Sequence, residues 1–252
     1  MRVVLSEAGI ESDPLPVRVP LPDVPEKRRL NRKERWKSLL WAIDSAEANG
    51  PDSLRGLTIA LSRVIQGQAL DALLFDIRWH KKSPLDPDRP LWNPDLPLNE
   101  AGQTMRELLV ELKQPVCVDL ADAAVFPHVW ERWRMHKALG RIGAGRADGR
   151  WRQTDNHYGV GWQPWPIVLL GNGNHSTFAA QLRGGGRLTC QQSYDFTPVL
   201  RAVKTDGEYW YRTDDGAKLE AVKLEAMAGI FVVGQRLAGI RQDEEGTDPS
   251  DA

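Results

Sequence analysis

The sequence lacks the features that mark membrane, secreted and metal-binding proteins. No apolar run approaches the roughly 20 residues of a membrane-spanning helix, and the N-terminus lacks the basic start and apolar stretch of a secretion signal. The two cysteines, Cys117 and Cys190, stand in predicted strands without partners at metal-ligand spacing, which predicts two buried thiols. We therefore expect a cytoplasmic protein that does not span a membrane.

The sequence also lacks an excess of charge of one sign. Its net charge of −1 argues against a surface built wholly for nucleic acid, but the charges are unevenly distributed. One basic cluster runs over residues 27–37, from Lys27 to Lys37, and a second over residues 132–152, from Arg132 to Arg152. Nucleic acid is a predicted partner of both clusters.

Three tryptophans stand beside or within the second cluster, namely Trp130, Trp133 and Trp151. Arginines among aromatic side chains can grip phosphates and stack on bases. Tryptophans at helical spacing are also typical of a hydrophobic core whose arginines face water. We favour the core interpretation for this cluster and keep nucleic-acid binding as the alternative.

Changes in periodicity divide the chain into four segments. Residues 1–33 hold five prolines and lead into the first basic cluster, which predicts an extended basic arm. Apolar stripes predict a helical region over residues 34–113. The pattern of residues 114–240 predicts a small α+β domain with a mixed sheet. The acidic residues 241–252 are predicted to form a disordered tail. Helices of the second segment are predicted at about 34–48, from 52 past 67, and from Asn99.

Short strands alternate with helices in residues 114–240. Residues 166–170 are continuously apolar, as in a strand that is covered on both faces. A short helix from Ser176 to about Arg183 follows this strand. The other predicted elements are strands at 116–120, 187–193 and 199–204, helices at about 122–139 and 222–240, and a hairpin turn at 204–207.

The loop between the apolar strand and the short helix is the predicted ligand site. A helix N-terminus presents unpaired N–H groups and the positive end of the helix dipole. Glycines before it let the backbone approach an anion closely. The sequence therefore predicts a loop that binds a nucleotide phosphate or another anion, with a tight turn capped by Ser176 as the structural alternative. Its residues are Gly171, Asn172, Gly173, Asn174, His175 and Ser176.

Residues 116–203 resemble the ParB/sulfiredoxin-like superfamily of small α/β domains. The resemblance lies in the order of strand, helix, glycine-containing linker, Pro-Ile-Val strand and a Gly-x-x-x-x-x-Ala loop-helix, here Gly173 to Ala179. It implies a fold in which this loop cradles nucleotide phosphates. Residues 156–159, 171–176 and 194–195 also resemble an uncharacterised bacterial family of unknown function.

The chain departs from the superfamily pattern at two positions of the loop. The superfamily commonly has arginine after the histidine of this loop, where this chain has Ser176. A phosphate would then need another cation, from Arg183, Arg187 or residues 132–152. Sulfiredoxins need a cysteine before the histidine, and this chain has Asn174, so the resemblance does not carry thiol chemistry over.

Two histidines, His157 and His175, flank the apolar strand and are candidates for general acid or base. Asn156, Asp195 and Arg183 are candidates for supporting roles around the loop. No zinc spacing, Walker loop or Ser-His-Asp signature is present. No resident metal is therefore predicted, and a nucleotide with Mg²⁺ is the cofactor considered.

Two functions stay open, and the sequence does not decide whether the protein is an enzyme. The first is a nucleotide-binding domain that acts on phosphate esters through His157 and His175. The second is a non-catalytic module that binds nucleic acid or protein, in which the loop is structural.

Overall fold

The computed structural model describes residues 30–75, 89–183 and 185–241. Most of the predicted basic arm, including Lys27, and the predicted acidic tail from residue 242 lie outside the described residues. None of the described helices combines the length and apolar character needed to cross a membrane.

Two helices open the described chain, α1 (Arg32–Ala48) and α2 (Pro51–Phe75). The start of α1 is fixed by a capping box, in which the Asn31 side chain accepts from the Glu34 N–H and the Glu34 carboxylate accepts from the Asn31 N–H, both at 2.9 Å. Pro51 occupies the first position of α2, where a missing N–H is harmless. The predicted helical N-terminal region is confirmed.

The third predicted helix is wrong in its start and length. Asn99 begins a turn and not a helix, since its carbonyl accepts from the Gly102 N–H at 3.0 Å. The helix that follows, α3, covers only Met105–Leu108. The two-residue strand β1 (Val110–Glu111) comes next and pairs antiparallel with a later strand.

The rest of the chain alternates strands and helices. The elements are β2 (Cys117–Asp119), β3 (Ala124–Phe126), α4 (Arg132–Arg141), β4 (Gly159–Gln163), β5 (Ile167–Leu170), α5 (Asn174–Leu182), β6 (Arg187–Thr189), β7 (Gln192–Asp195), α6 (Thr197–Ala202), β8 (Val203–Thr205), β9 (Tyr209–Arg212), β10 (Lys218–Ala221) and α7 (Glu225–Leu237).

The described strands form three sheets. The largest is mixed, in the order β1-β7-β4-β5-β3, with β3/β5 and β4/β7 parallel and the other pairs antiparallel. Smaller sheets contain β10-β9-β8 and β2-β6. The α+β class with a mixed sheet is therefore confirmed.

Two short apolar segments have the opposite structure from the one predicted. The first turns of the predicted helix at 122–139 are the buried strand β3, because Pro127 disfavours helical backbone at Phe126 and the helix begins only at Arg132. The predicted strand at 199–204 is mostly α6, where Pro198 stands in the first turn.

Of the two thiols predicted to be buried, Cys190 is buried and Cys117, on the two-stranded β2-β6 sheet, is exposed. Burial raises the pKa of Cys190 to about 12, with a smaller contribution from Cys117.

Three apolar clusters hold the described elements together. In the largest, α7 packs against α1, α2 and Trp165, whose indole N–H donates to the Ile230 carbonyl at 2.6 Å. The second lies between β5 and α5 and contains Val168, Leu170, Ala179 and Ala180. It fixes α5 on the sheet and so determines where its N-terminus points. The third and smallest joins α2, α4 and α5 through Leu73, Met135 and Phe178. The division of the chain at residues 113–114 stays a prediction.

Candidate functional site

The helix α5 begins two residues earlier than the sequence predicts. Gly173 is its N-cap, with a left-handed φ of 76°, and Asn174 is its first residue. The Asn172 side-chain oxygen accepts from the Gly173 N–H at 2.9 Å, which holds the turn before the helix. Ser176 therefore lies in the first turn of α5, where its hydroxyl donates to the Gly173 carbonyl at 2.9 Å instead of capping the helix.

His157 packs against this turn and is 5% exposed. A Cβ built on Gly173 would lie 2.4 Å from the His157 Cδ2 atom, so the imidazole occupies the space that any larger residue would need. The loop and the histidine are therefore fitted to each other, although they are separated in sequence by the strands β4 and β5.

The hydrogen bonds of His157 assign its tautomer. The Thr154 N–H donates to the His157 Nδ1 at 3.0 Å, nearer than the Thr154 carbonyl at 3.3 Å, and the Ser176 hydroxyl donates its own proton to the Gly173 carbonyl. We therefore assign the ring proton to Nε2. The Nε2–H then donates to the Ser176 hydroxyl oxygen at 2.7 Å. A general base acting on Ser176 would need a lone pair at Nε2, so this arrangement orients the hydroxyl and does not deprotonate it.

Asn174 and His175 point towards the segment that leads into α4. The Asn174 side-chain oxygen accepts from the His128 N–H at 2.7 Å, and the His175 Nε2 accepts from the Glu131 N–H at 3.2 Å. The Trp130 ring meets the His175 imidazole edge-on, with their centroids 4.6 Å apart. These two side chains are 4% and 9% exposed and join the first turn of α5 to the start of α4.

A cleft of about 410 Å³ opens between α4 and the first turn of α5. Asn172, Gly173, Asn174, His175 and Ser176 line it on the α5 side. The α4 side carries cations at helical spacing, so they share one face of α4. Three of the four charged residues that line the cleft are basic, namely Arg134, Lys137 and Arg141, with Asp148 the fourth.

The cations of the cleft differ in their partners. Arg134 pairs with Glu131 and Arg141 with Asp148, each at 2.6 Å. Lys137 forms no ion pair within the described part of the chain. The cationic partner that the loop itself lacks is thus present across the cleft, on the segment that the sequence marks as its second basic cluster.

The remaining predicted site residues divide between the cleft and other places. Asn156 lines the cleft and accepts from the Asn172 side-chain amide at 3.0 Å. Arg183 follows the last turn of α5 and donates to the Leu139 carbonyl. At a rise of about 1.5 Å per residue, its backbone lies about 10 Å from that of Ser176 along the helix axis. Asp195 ends β7 and accepts from the Thr197 N–H at 2.8 Å, just before α6, and it does not line the cleft. The structure does not bring Arg183 or Asp195 to the loop.

Both histidines of the site favour the neutral form. Burial lowers the pKa of His157 below its ordinary value of 6.5. Burial is also the main cause that lowers the pKa of His175, with a smaller contribution from the positive charge of Arg134. Across residues 30–75, 89–183 and 185–241, no three His, Cys, Asp or Glu side chains lie close enough together to hold a metal ion.

The free energy of unfolding should fall as the pH drops below about 6.5. The unfolded chain takes up protons at these histidines at its ordinary pKa, whereas the folded chain resists until a lower pH, so protonation favours unfolding. Urea denaturation between pH 7.5 and 5 measures this loss. His157→Gln, which cannot titrate, should show a smaller loss, and equal unfolding free energies of the wild type at both pH values would contradict the prediction.

The comparison with known proteins gives one match. A model of a protein family of unknown function, DUF6710, matches residues 38–243. No curated protein and no solved structure matches the chain at a significant level. The expected resemblance to a family of unknown function is confirmed, and the resemblance to the ParB/sulfiredoxin-like superfamily stays a prediction.

Proposed function

The chain belongs to DUF6710, a family of unknown function, and from that premise we propose that the cleft between α4 and α5 binds a phosphate group of a nucleotide. The observation that carries the proposal is the meeting of two anion-attracting features in one cavity. The first turn of α5 supplies backbone N–H groups and the positive end of a helix dipole. The α4 face opposite supplies Arg134, Lys137 and Arg141.

An aromatic side chain at the cleft supports a nucleotide over an isolated anion. Trp133 lines the cleft and is 60% exposed, and the Arg134 guanidinium lies 5.4 Å from the centroid of its ring. Exposed tryptophan beside a cation offers a face on which a base can stack. The resemblance to ParB/sulfiredoxin-like domains, whose loop cradles nucleotide phosphates, supports the same ligand.

We propose binding as the primary role of the cleft, rather than chemistry on a phosphate ester. The Nε2–H of His157 already donates to Ser176, and the Nε2 of His175 already accepts from the Glu131 N–H. The Nε2 atoms of His157 and His175 therefore present no free lone pair to a ligand in the cleft. The histidines therefore serve best as positioning residues that hold the first turn of α5 open to the phosphate.

Nucleic-acid binding through the first basic cluster has less support. Arg32 donates to the Gly207 and Val222 carbonyls at 3.0 and 2.9 Å, and Arg35 pairs with Glu225 at 2.8 Å. These two cations join α1 to the C-terminal part of the chain. Lys27, Arg28 and Arg29 of the same cluster lie outside the described residues.

Lys137→Gln should weaken nucleotide binding about tenfold or more, because one hydrogen bond to a charged group contributes about 1.5–3 kcal/mol. Thermal shifts with a panel of nucleotides, each with and without Mg²⁺, measure the effect. A ligand at 100 times its Kd should stabilise the wild type by about 2.7 kcal/mol.

Lys113→Gln is the matched control, since Lys113 is exposed and does not line the cleft. It should bind nucleotides as the wild type does. The proposal fails if no nucleotide shifts the wild type, or if the two lysine variants lose binding equally.

A further inference from the structure

A second cavity of about 420 Å³ lies next to the cleft. Ile142 lines both cavities, so the two adjoin at this residue. The other walls of the second cavity are formed by the loop after α4, at Gly143, and by the end of α5 and the residues after it, at Arg183 and Gly186. The two cavities therefore follow α5 from its N-terminus to its C-terminus.

The second cavity has cations without carboxylate partners. Arg150 and Arg183 line it, and neither forms an ion pair with any residue that the structure describes. In the first cleft, by contrast, two of the three cations are already paired with carboxylates. Two arginines without carboxylates in one concave wall form a site that favours an anion.

Trp151 forms an apolar part of the same wall. It lines the cavity and is 8% exposed, so its ring closes one side of the space that the two arginines face.

We propose that this second cavity binds another phosphate of the same ligand, and that the ligand is a short single-stranded oligonucleotide. The inference rests on the proposed function of the first cleft. Ser176 and Arg183 are about 10 Å apart along α5. The phosphates of one nucleoside triphosphate share bridging oxygens and lie too close together to reach both places, whereas a sugar separates the phosphates of a nucleic-acid strand.

The aromatic groups favour an unpaired strand. Trp133 exposes its ring at the first cleft, and stacking on such a ring needs a base that is free of its partner strand. Stacking on an aromatic ring and contacts to phosphates do not depend on the base sequence. The ligand is therefore recognised by its chain of at least two phosphates, whatever its base sequence.

Titrations of the full chain with two probes at fixed salt test the inference. The probes are the four 5′-mononucleotides and 5′-phosphorylated trinucleotides of mixed sequence. The trinucleotides should bind at least tenfold more tightly. The Arg150→Gln/Arg183→Gln variant should remove that gain, and the slope of log K against log salt should become shallower by about 0.7 for each phosphate that the variant no longer neutralises.

Arg201→Gln is the charge-matched control, because Arg201 is an exposed residue of α6 that lines neither cavity. It should retain the full gain. Since Arg183 also donates to Leu139, the single variant Arg150→Gln provides a test that leaves this hydrogen bond in place, and it should remove part of the gain.

The outcomes separate the two proposals. Mononucleotide binding with no gain for trinucleotides, or a gain that both arginine substitutions leave intact, would overturn the second site alone. An absence of mononucleotide binding to the wild type would overturn the proposed function of the first cleft, and with it the two-site ligand.

Discussion

Gly173→Ala should lower the free energy of unfolding by about 2–4 kcal/mol. Part of the loss comes from the left-handed backbone at Gly173, with φ 76°, which costs a residue with a Cβ about 1–2 kcal/mol. The larger part is steric, because the new Cβ would lie 2.4 Å from the His157 Cδ2 and 3.0 Å from the His157 Cα. The Cα belongs to the backbone, so a change of side-chain rotamer cannot relieve the clash.

Gly145→Ala isolates the backbone part of this effect. Gly145 has nearly the same φ of 73°, and no heavy atom lies within 4 Å of the Cβ that alanine would add. Its loss should therefore be about 1–2 kcal/mol. Urea denaturation of both variants measures the difference, and equal losses would show that His157 does not hold the turn as described. Gly173→Ala should also abolish nucleotide binding, whereas Gly145→Ala should preserve it.

Gly234→Ala should lower the free energy of unfolding by about 2 kcal/mol. Alanine is the better helix former by about 1 kcal/mol, so the substitution would stabilise α7 if there were room. The added Cβ would instead lie 2.1 Å from Cε2 and 2.3 Å from Nε1 of the Trp165 ring. That ring is 1% exposed and is anchored by its hydrogen bond to Ile230, so it cannot swing away without disrupting the packing around it.

Gly67→Ala is the control with the opposite expected sign. Gly67 lies inside α2, and its added Cβ would meet no heavy atom within 4 Å. This variant should be more stable than the wild type by up to about 1 kcal/mol. Thermal and urea unfolding of the two variants measure both signs, and stabilisation by Gly234→Ala would mean that α7 does not pack on Trp165 as closely as described.

The elements that are predictable from the sequence are those whose signals are local. Asn31 and Glu34 form the capping box of α1, and the Asn-Gly-Pro sequence at 49–51 separates it from α2. The apolar run at 166–170 is β5, a strand with neighbours on both sides. Each of these depends on periodicity or on residues three or four positions apart, which sequence patterns record.

The elements that escape prediction depend on contacts distant in sequence. β3 is a strand because it pairs with β5 more than 40 positions later, and three apolar residues in a row do not carry that information. The early start of α5 depends on the left-handed conformation of Gly173, which His157 stabilises by filling the adjacent space. A glycine directly before the polar run at 174–176 is the local signal for this start, because glycine is one of the residues preferred at the N-cap.

The candidate site is predictable in composition but not in arrangement. The polar loop and the second basic cluster are both visible in the sequence, as two separate features. Their meeting depends on the apolar cluster that Met135 of α4 and Phe178 of α5 share, and on the bonds from Asn174 and His175 to the backbone at 128–131. His157 orients Ser176 through a hydrogen bond between residues 19 positions apart, and no sequence pattern predicts a bond at that spacing.

The packing of α7 against α1 and α2 has a consequence for the order of events during synthesis. The ion pair between Asp44 and Arg236 joins residues that are 192 positions apart. At about 5–20 residues per second, a ribosome needs about 10–40 s to make that stretch. The α1–α2 pair is complete once Phe75 has been added, so for most of that time its apolar side lacks α7, and a chaperone would meet it early.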